Sequence, residues 1–171
     1  DKNIDNLVIV NPDNPSGNYI PKNDLIELAK WAQNKNIKLI VDESFSDFSD
    51  ELDNTLIKQD IIDSYKNLYV MKSISKSYGV TGLRLGILVS SDIESISWMK
   101  KDVAIWNLNS FAEFYLQIAE KYSKTYVKAL EEFRNERNRF KEKLDKVFGI
   151  RVLPSQANYF MIEITGPMTA K

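Results

Sequence analysis

The strongest constraint in this chain is one order of events repeated three times before residue 85. A short, mostly apolar run is followed at once by a cluster of polar and turn-forming residues. Residues 7–10 (LVIV) lead into NPDNPSG, residues 37–41 (IKLIV) into DESF, and residues 68–71 (LYVM) into the serine-, lysine- and glycine-rich stretch that reaches Arg84. Apolar runs of this length suit strands buried on both faces, the pattern of parallel sheets. Between the first two runs, Leu25, Leu28, Ala29 and Ala32 recur at spacings of three and four behind Pro21, which predicts a helix. A fourth run, LGILV at residues 85–89, reads as a further strand. Strands alternating with helical segments predict βαβ units, a largely parallel sheet and an α/β fold.

Downstream, residues 92–101 read as a short helix, and Ser110 with Glu113 has capping-box spacing at the head of a long helical tract. The apolar stripe of that tract continues from Phe111 to Val147, and Gly149 is its expected stop. Residues 150–153 and 158–164 read as strands of a second, smaller domain. The expected division is a larger domain over 1–125 and an incomplete small α+β domain over 126–171, entered through the long helix. With strands close to both ends, the chain reads as an internal part of a larger protein.

Composition narrows the chemistry. With 23 basic and 24 acidic residues and a net charge of -1, nothing electrostatic favours nucleic acid or an anionic membrane as partner. No apolar run approaches the roughly 20 residues needed to span a bilayer. The lack of cysteine excludes disulfides and thiolate metal sites and fits a reducing compartment, so a cytoplasmic location is expected. The lack of histidine removes imidazole triads and the usual zinc sites, and no metal is expected. Catalysis here must use lysine, carboxylates, tyrosine, hydroxyls or a bound cofactor.

Ligands of open α/β sheets bind beyond the carboxyl ends of the strands, where all three clusters fall. In the third cluster, the Ser73 and Ser75 hydroxyls suit phosphate oxygens, and Arg84 offers a planar cationic fork for a dianion. Lys76 lies between them, where a neighbouring cation lowers an amine's pKa and keeps it nucleophilic. The plain alternative is a glycine-rich turn with a solvated lysine. In the second cluster, Asp42 and Glu43 end an apolar strand and need a cation, a strong donor or a capping role. NPDNPSG alone reads as a tight turn. In this order, the three clusters point to one ligand-binding edge.

Taken together, NPDNPSG, VDESF and SISKSYGVTGLRLG resemble the motifs of class I/II aminotransferases, pyridoxal-phosphate enzymes of fold type I. VDESFSDF and SQANYF resemble the histidinol-phosphate aminotransferase branch, which also contains threonine-phosphate decarboxylases. The resemblance implies an α-β-α sandwich for the larger domain and pyridoxal 5'-phosphate as cofactor. It implies that Lys76 carries the cofactor aldehyde as a Schiff base and moves protons at the substrate α-carbon. Asp42 would pair with the pyridine nitrogen, Asn14 with the phenolic oxygen, and Ser73, Ser75 and Arg84 with the phosphate. Phe45 stands where many relatives carry tyrosine, keeping the aromatic packing without the hydroxyl. Asn107 and Asn158 stand near positions that face the active site in such enzymes, with cap or turn roles equally open. Arg151 comes too early to match the arginine that binds the substrate carboxylate. The implied activity is amino-group transfer between an amino acid and a keto acid or aldehyde, in a homodimer acting on small molecules. Decarboxylation and a non-catalytic truncated domain are the alternatives, and this stretch alone is expected to be inactive.

Overall fold

The computed structural model describes residues 4–167. Its first half follows the repeated order of the sequence: β1 (Asn6–Val10), α1 (Lys22–Asn34), β2 (Lys38–Asp42), a 3-10 turn at Ser46–Phe48, α2 (Gln59–Ser64) and β3 (Leu68–Ser73). Then come β4 (Gly86–Val89), α3 (Ile93–Lys101), α4 (Ser110–Ala119), α5 (Ser123–Leu144), β5 (Ile150–Val152) and β6 (Ile162–Ile164). One sheet has the order β1-β2-β3-β4, and β5 with β6 forms a second, two-stranded sheet. The fold is α/β, as expected. β1, β2 and β3 run parallel, whereas β4 runs antiparallel to β3. The last rung between those two strands joins Ser73 to Gly86.

Alternation along the strands decides what each sheet face meets. Leu39, Val41, Leu68 and Val70 point to one face, where they are buried with Leu25, Ala29 and Ala32 of α1 and Ile61 and Ile62 of α2. Ile40, Asp42, Tyr69, Met71 and Leu88 point to the other and line a large cavity beside α3. Asp92 caps α3 by accepting from the Ser95 N–H at 3.2 Å, and it also accepts the Tyr69 hydroxyl, which fixes α3 against the sheet. Among the described residues, no helix is long and apolar enough to cross a membrane.

Four local features differ from the sequence reading. α2 forms within a polar stretch, where Ile61 and Ile62 alone supply the core contact. The long helical tract is interrupted by a 3-10 turn at Glu120–Tyr122. The cap of α4 is Asn109 and not Ser110: its Oδ1 accepts the Ala112 N–H at 2.9 Å, while its Nδ2 donates to the Leu83 carbonyl at 3.0 Å. Residues 158–161 stay outside β6; just before them the Ser155 hydroxyl turns the chain by donating to the Tyr159 carbonyl at 2.6 Å.

Candidate active site

Parallel β1, β2 and β3 deliver their three polar clusters to one edge of the sheet. The first loop is closed by Asn11, whose side chain donates to the Ile20 carbonyl at 2.9 Å and accepts the Ile20 N–H at 2.8 Å. Gly17 adopts φ 74 in this loop, a left-handed conformation for which glycine is suited. Asn14 is exposed at the tip and does not border the cavity.

At the end of β2 the two adjacent acids part company. Asp42 faces the cavity; its Oδ1 accepts the Ser44 N–H at 2.8 Å, and its Oδ2 has no partner among the described residues. Glu43 points inward at 1% exposure, accepting the Leu56 N–H at 2.6 Å and the Thr55 hydroxyl at 2.7 Å. Burial raises its pKa, against the pull of those two bonds and of Lys72. Glu43 therefore clamps the following loop and takes no part in the cavity. The Ser44 hydroxyl accepts the Ser73 N–H at 2.9 Å, which ties the Asp42 loop to the end of β3.

Asp42, Ser73, Ser75, Lys76 and Arg84 all border one cavity of about 1190 Å³. Its floor continues along the sheet to Tyr69 and Trp98, so these five residues occupy one part of a larger basin that Lys38, Glu94 and Ser95 also border. Phe45 lies outside the cavity lining and supports it: Lys76 Nζ sits 3.8 Å from the Phe45 ring centroid, a cation–π contact. Tyr159 packs edge-on against the same ring at 5.3 Å. Arg84 adopts φ 55 and donates from Nη1 to the Thr81 carbonyl at 3.3 Å. Neither Lys76 nor Arg84 forms a salt bridge among the described residues. Ser75 is 2% exposed, and its hydroxyl is directed to the Leu85 carbonyl at 3.4 Å beneath the loop. Asn107 and Asn158 are both exposed, and Arg151 pairs with Glu163 at 2.6 Å across β5 and β6.

Two further groups hold this edge together. Asp47, on the 3-10 turn after Phe45, gathers the Lys72 ammonium, the Ser77 hydroxyl and the Tyr126 hydroxyl at 2.5, 2.7 and 2.8 Å. Arg137 of α5 donates to the Phe48 carbonyl at 2.7 Å and pairs with Asp50 at 2.6 Å. Tyr159 closes the far side by donating to the Asp13 carbonyl at 2.7 Å. Burial, with Asp13 nearby, pushes that phenol up to about 12, so it remains a donor.

The donor set fits a small anionic ring aldehyde. Arg84 and Ser73 can hold a phosphate, the open Asp42 oxygen can accept from a protonated ring nitrogen, and Lys76 is an amine with no carboxylate to neutralise it.

Comparison with known proteins gives the family. The sequence profile described as "Aminotransferase class I and II" matches residues 1–171. The chain is 33% identical over 98% of its length to the CMP-5'-(3-aminopropyl)phosphonate synthase of Streptomyces rubellomurinus, spanning 26% of that protein. It is 32% identical over 97% of its length to the L-serine phosphate decarboxylase of Sulfurospirillum multivorans, spanning 43% of it. Among solved structures, the histidinol-phosphate aminotransferase from Clostridium acetobutylicum superposes with a TM-score of 0.83 at 29% identity, covering 94% of this chain and 48% of that one. The chain thus spans less than half the length of these relatives. It belongs to the aminotransferase class I and II family, fold-type-I enzymes whose cofactor is pyridoxal phosphate.

Proposed function

We propose that the protein containing this chain transfers an amino group between a small amino acid or amine and a keto acid or aldehyde. The observation that carries this reading is the placement of Lys76, free of any carboxylate among the described residues, on one cavity with Asp42 and Arg84. When bound, pyridoxal phosphate supplies an aldehyde for amine exchange and a ring that accepts electron density from the substrate α-carbon. Arg84 and Ser73 would hold the phosphate and so set where the aldehyde points. Asp42, held by the Ser44 N–H, would accept from the ring nitrogen. Lys76 would hold the aldehyde and move a proton at the substrate α-carbon, with the Phe45 face restricting where its amine rests. Asn14 is the proposed donor to the phenolic oxygen, and Ser75 supports the loop from below. A second subunit belongs to the same proposal. Ile105, Trp106 and Phe111, close together in sequence, stand 94%, 87% and 79% exposed, and burial against protein would suit each of them.

The likeness to L-serine phosphate decarboxylase favours a second reading, loss of carbon dioxide from the same α-carbon. The names of the relatives also support a substrate bearing a phosphate or phosphonate group. The test is to incubate the full-length protein with pyridoxal phosphate, reduce with borohydride and map the modified peptide. Modification at Lys76, lost in Lys76→Ala, is expected; an unmodified protein would reject the proposal. Amino-acid O-phosphates then separate the two readings by release of keto acid or of carbon dioxide.

A further inference from the structure

We propose that Asp47 is a positioning residue that selects Lys76 over Lys72 as the reactive amine of this site. The inference rests on the function proposed above and concerns a residue that belongs to none of the three clusters.

Lys72 and Lys76 lie one short step apart on the same segment, and both border the cavity. They differ in what holds them. Lys72 Nζ lies 2.5 Å from Asp47 Oδ1 and 3.5 Å from the Ser46 hydroxyl, with both ion-pair partners largely buried. Its nitrogen is committed to Asp47 and Ser46, and that ion pair must break before the amine can reach a carbonyl. Lys76 has no carboxylate partner among the described residues and rests on the Phe45 ring. Lys38, a third lysine on the cavity, sits four residues before Asp42 on β2, about 13 Å away along the strand.

Asp47 is fixed well enough to discriminate between the two. Its other oxygen accepts the Ser77 hydroxyl at 2.7 Å, from the residue next to Lys76, and the Tyr126 hydroxyl at 2.8 Å, from α5. Tyr126 is itself stacked on Tyr78, with ring centroids 3.9 Å apart and planes 7° from parallel. Donors from β3, the lysine loop and α5 thus converge on one carboxylate, which cannot swing across to Lys76. Burial alone would raise the pKa of Asp47, but the Lys72 ammonium and the Ser77 and Tyr126 hydroxyls bring it below the ordinary carboxylate range. The carboxylate is therefore ionised and holds Lys72 across neutral pH. Through Ser77 the same group anchors the backbone beside Lys76, while Phe45, two residues earlier, packs against its side-chain nitrogen.

The experiment maps where pyridoxal phosphate attaches in the full-length protein. An amine that condenses with the aldehyde releases one water, and borohydride supplies the hydride that fixes the new bond as a secondary amine. In the unvaried protein the modification is expected on Lys76 alone. Asp47→Asn, which keeps the acceptor oxygen but loses the charge, is expected to shift a clear share of the modification to Lys72. Asp47→Glu should restore Lys76 alone, and so should Lys72→Met added to Asp47→Asn. Modification confined to Lys76 in Asp47→Asn, or absent from both lysines in that variant, would overturn the proposal. An unmodified parent protein would instead reject the function proposed above. A second measurement does not depend on the variants folding: reductive methylation of the unvaried full-length protein freed of cofactor should modify Lys76 faster than Lys72, and equal rates would overturn the inference.

Discussion

Arg137 and Asp50 form an unsymmetrical pair behind the lysine site, with the guanidinium 3% and the carboxylate 52% exposed. Truncating either partner removes the same ion pair, yet the two truncations leave different things behind. Asp50→Ala strands a buried charge on two backbone acceptors, the Phe48 carbonyl at 2.7 Å and the Ala157 carbonyl at 3.4 Å. An uncompensated buried charge costs about 3 kcal/mol, the low end of the usual range because those carbonyls still accept. Arg137→Met leaves a carboxylate that water reaches and that the Gln156 side-chain amide still holds at 2.9 Å. Its main cost is the orphaned Phe48 carbonyl, about 2 kcal/mol, since methionine fills most of the vacated space. The more exposed residue is thus expected to be the costlier one to remove, by about 1 kcal/mol. Urea unfolding of the full-length protein and both variants, followed by far-UV circular dichroism, measures the two losses. If Arg137→Met proved clearly costlier than Asp50→Ala, the reasoning from unequal burial would be refuted.

Other perturbations follow from single contacts. Gly17→Ala should lower stability by about 2 kcal/mol or more, because φ 74 is strained for alanine and its Cβ would stand 2.1 Å from Ser155 Oγ. Thermal unfolding checks this, and adding Ser155→Gly should recover only the steric part. Glu43 has a raised folded-state pKa, so its stabilising form is the protonated one. That contribution is complete below the usual value of 4.5 and is lost as pH rises through the raised value. The stability of the parent relative to Glu43→Gln should therefore fall on going from acid to neutral pH, and a flat difference would count against the assignment. Arg84→Lys replaces a fork with a point charge and should weaken cofactor binding by roughly tenfold, read by fluorescence titration.

The places where the chain would bind something were legible because a buried strand must be apolar and its exit must turn. That contrast marks Asn11, Asp42 and Ser73 as exits without any knowledge of partners. The fate of adjacent residues was not legible. Asp42 and Glu43 differ in role because successive side chains on an extended segment point to opposite faces, and only the packed Leu56 and Thr55 show which face is interior. The roles of Asp47, which stands within VDESFSDF, and of Arg137 were not legible because their partners lie 25, 79 and 87 residues away, beyond any local spacing rule. The direction of β4 was equally hidden, since LGILV is apolar whichever way it runs. Ser75 looked like an open hydroxyl until its burial beneath the loop was known.

The rung between Ser73 and Gly86 has a consequence for how the site changes shape. Residues 74–85 leave the sheet and return to it at facing positions, so Lys76 and Arg84 belong to a single closed excursion. The span between amine and guanidinium is then an internal dimension of that excursion. The β5–β6 sheet contributes no residue to it, whereas α5 reaches it through Tyr126, stacked on Tyr78. Loops of equal length exchanged between relatives should carry this spacing intact, whereas one residue inserted between Lys76 and Arg84 would alter it while every strand stayed in register.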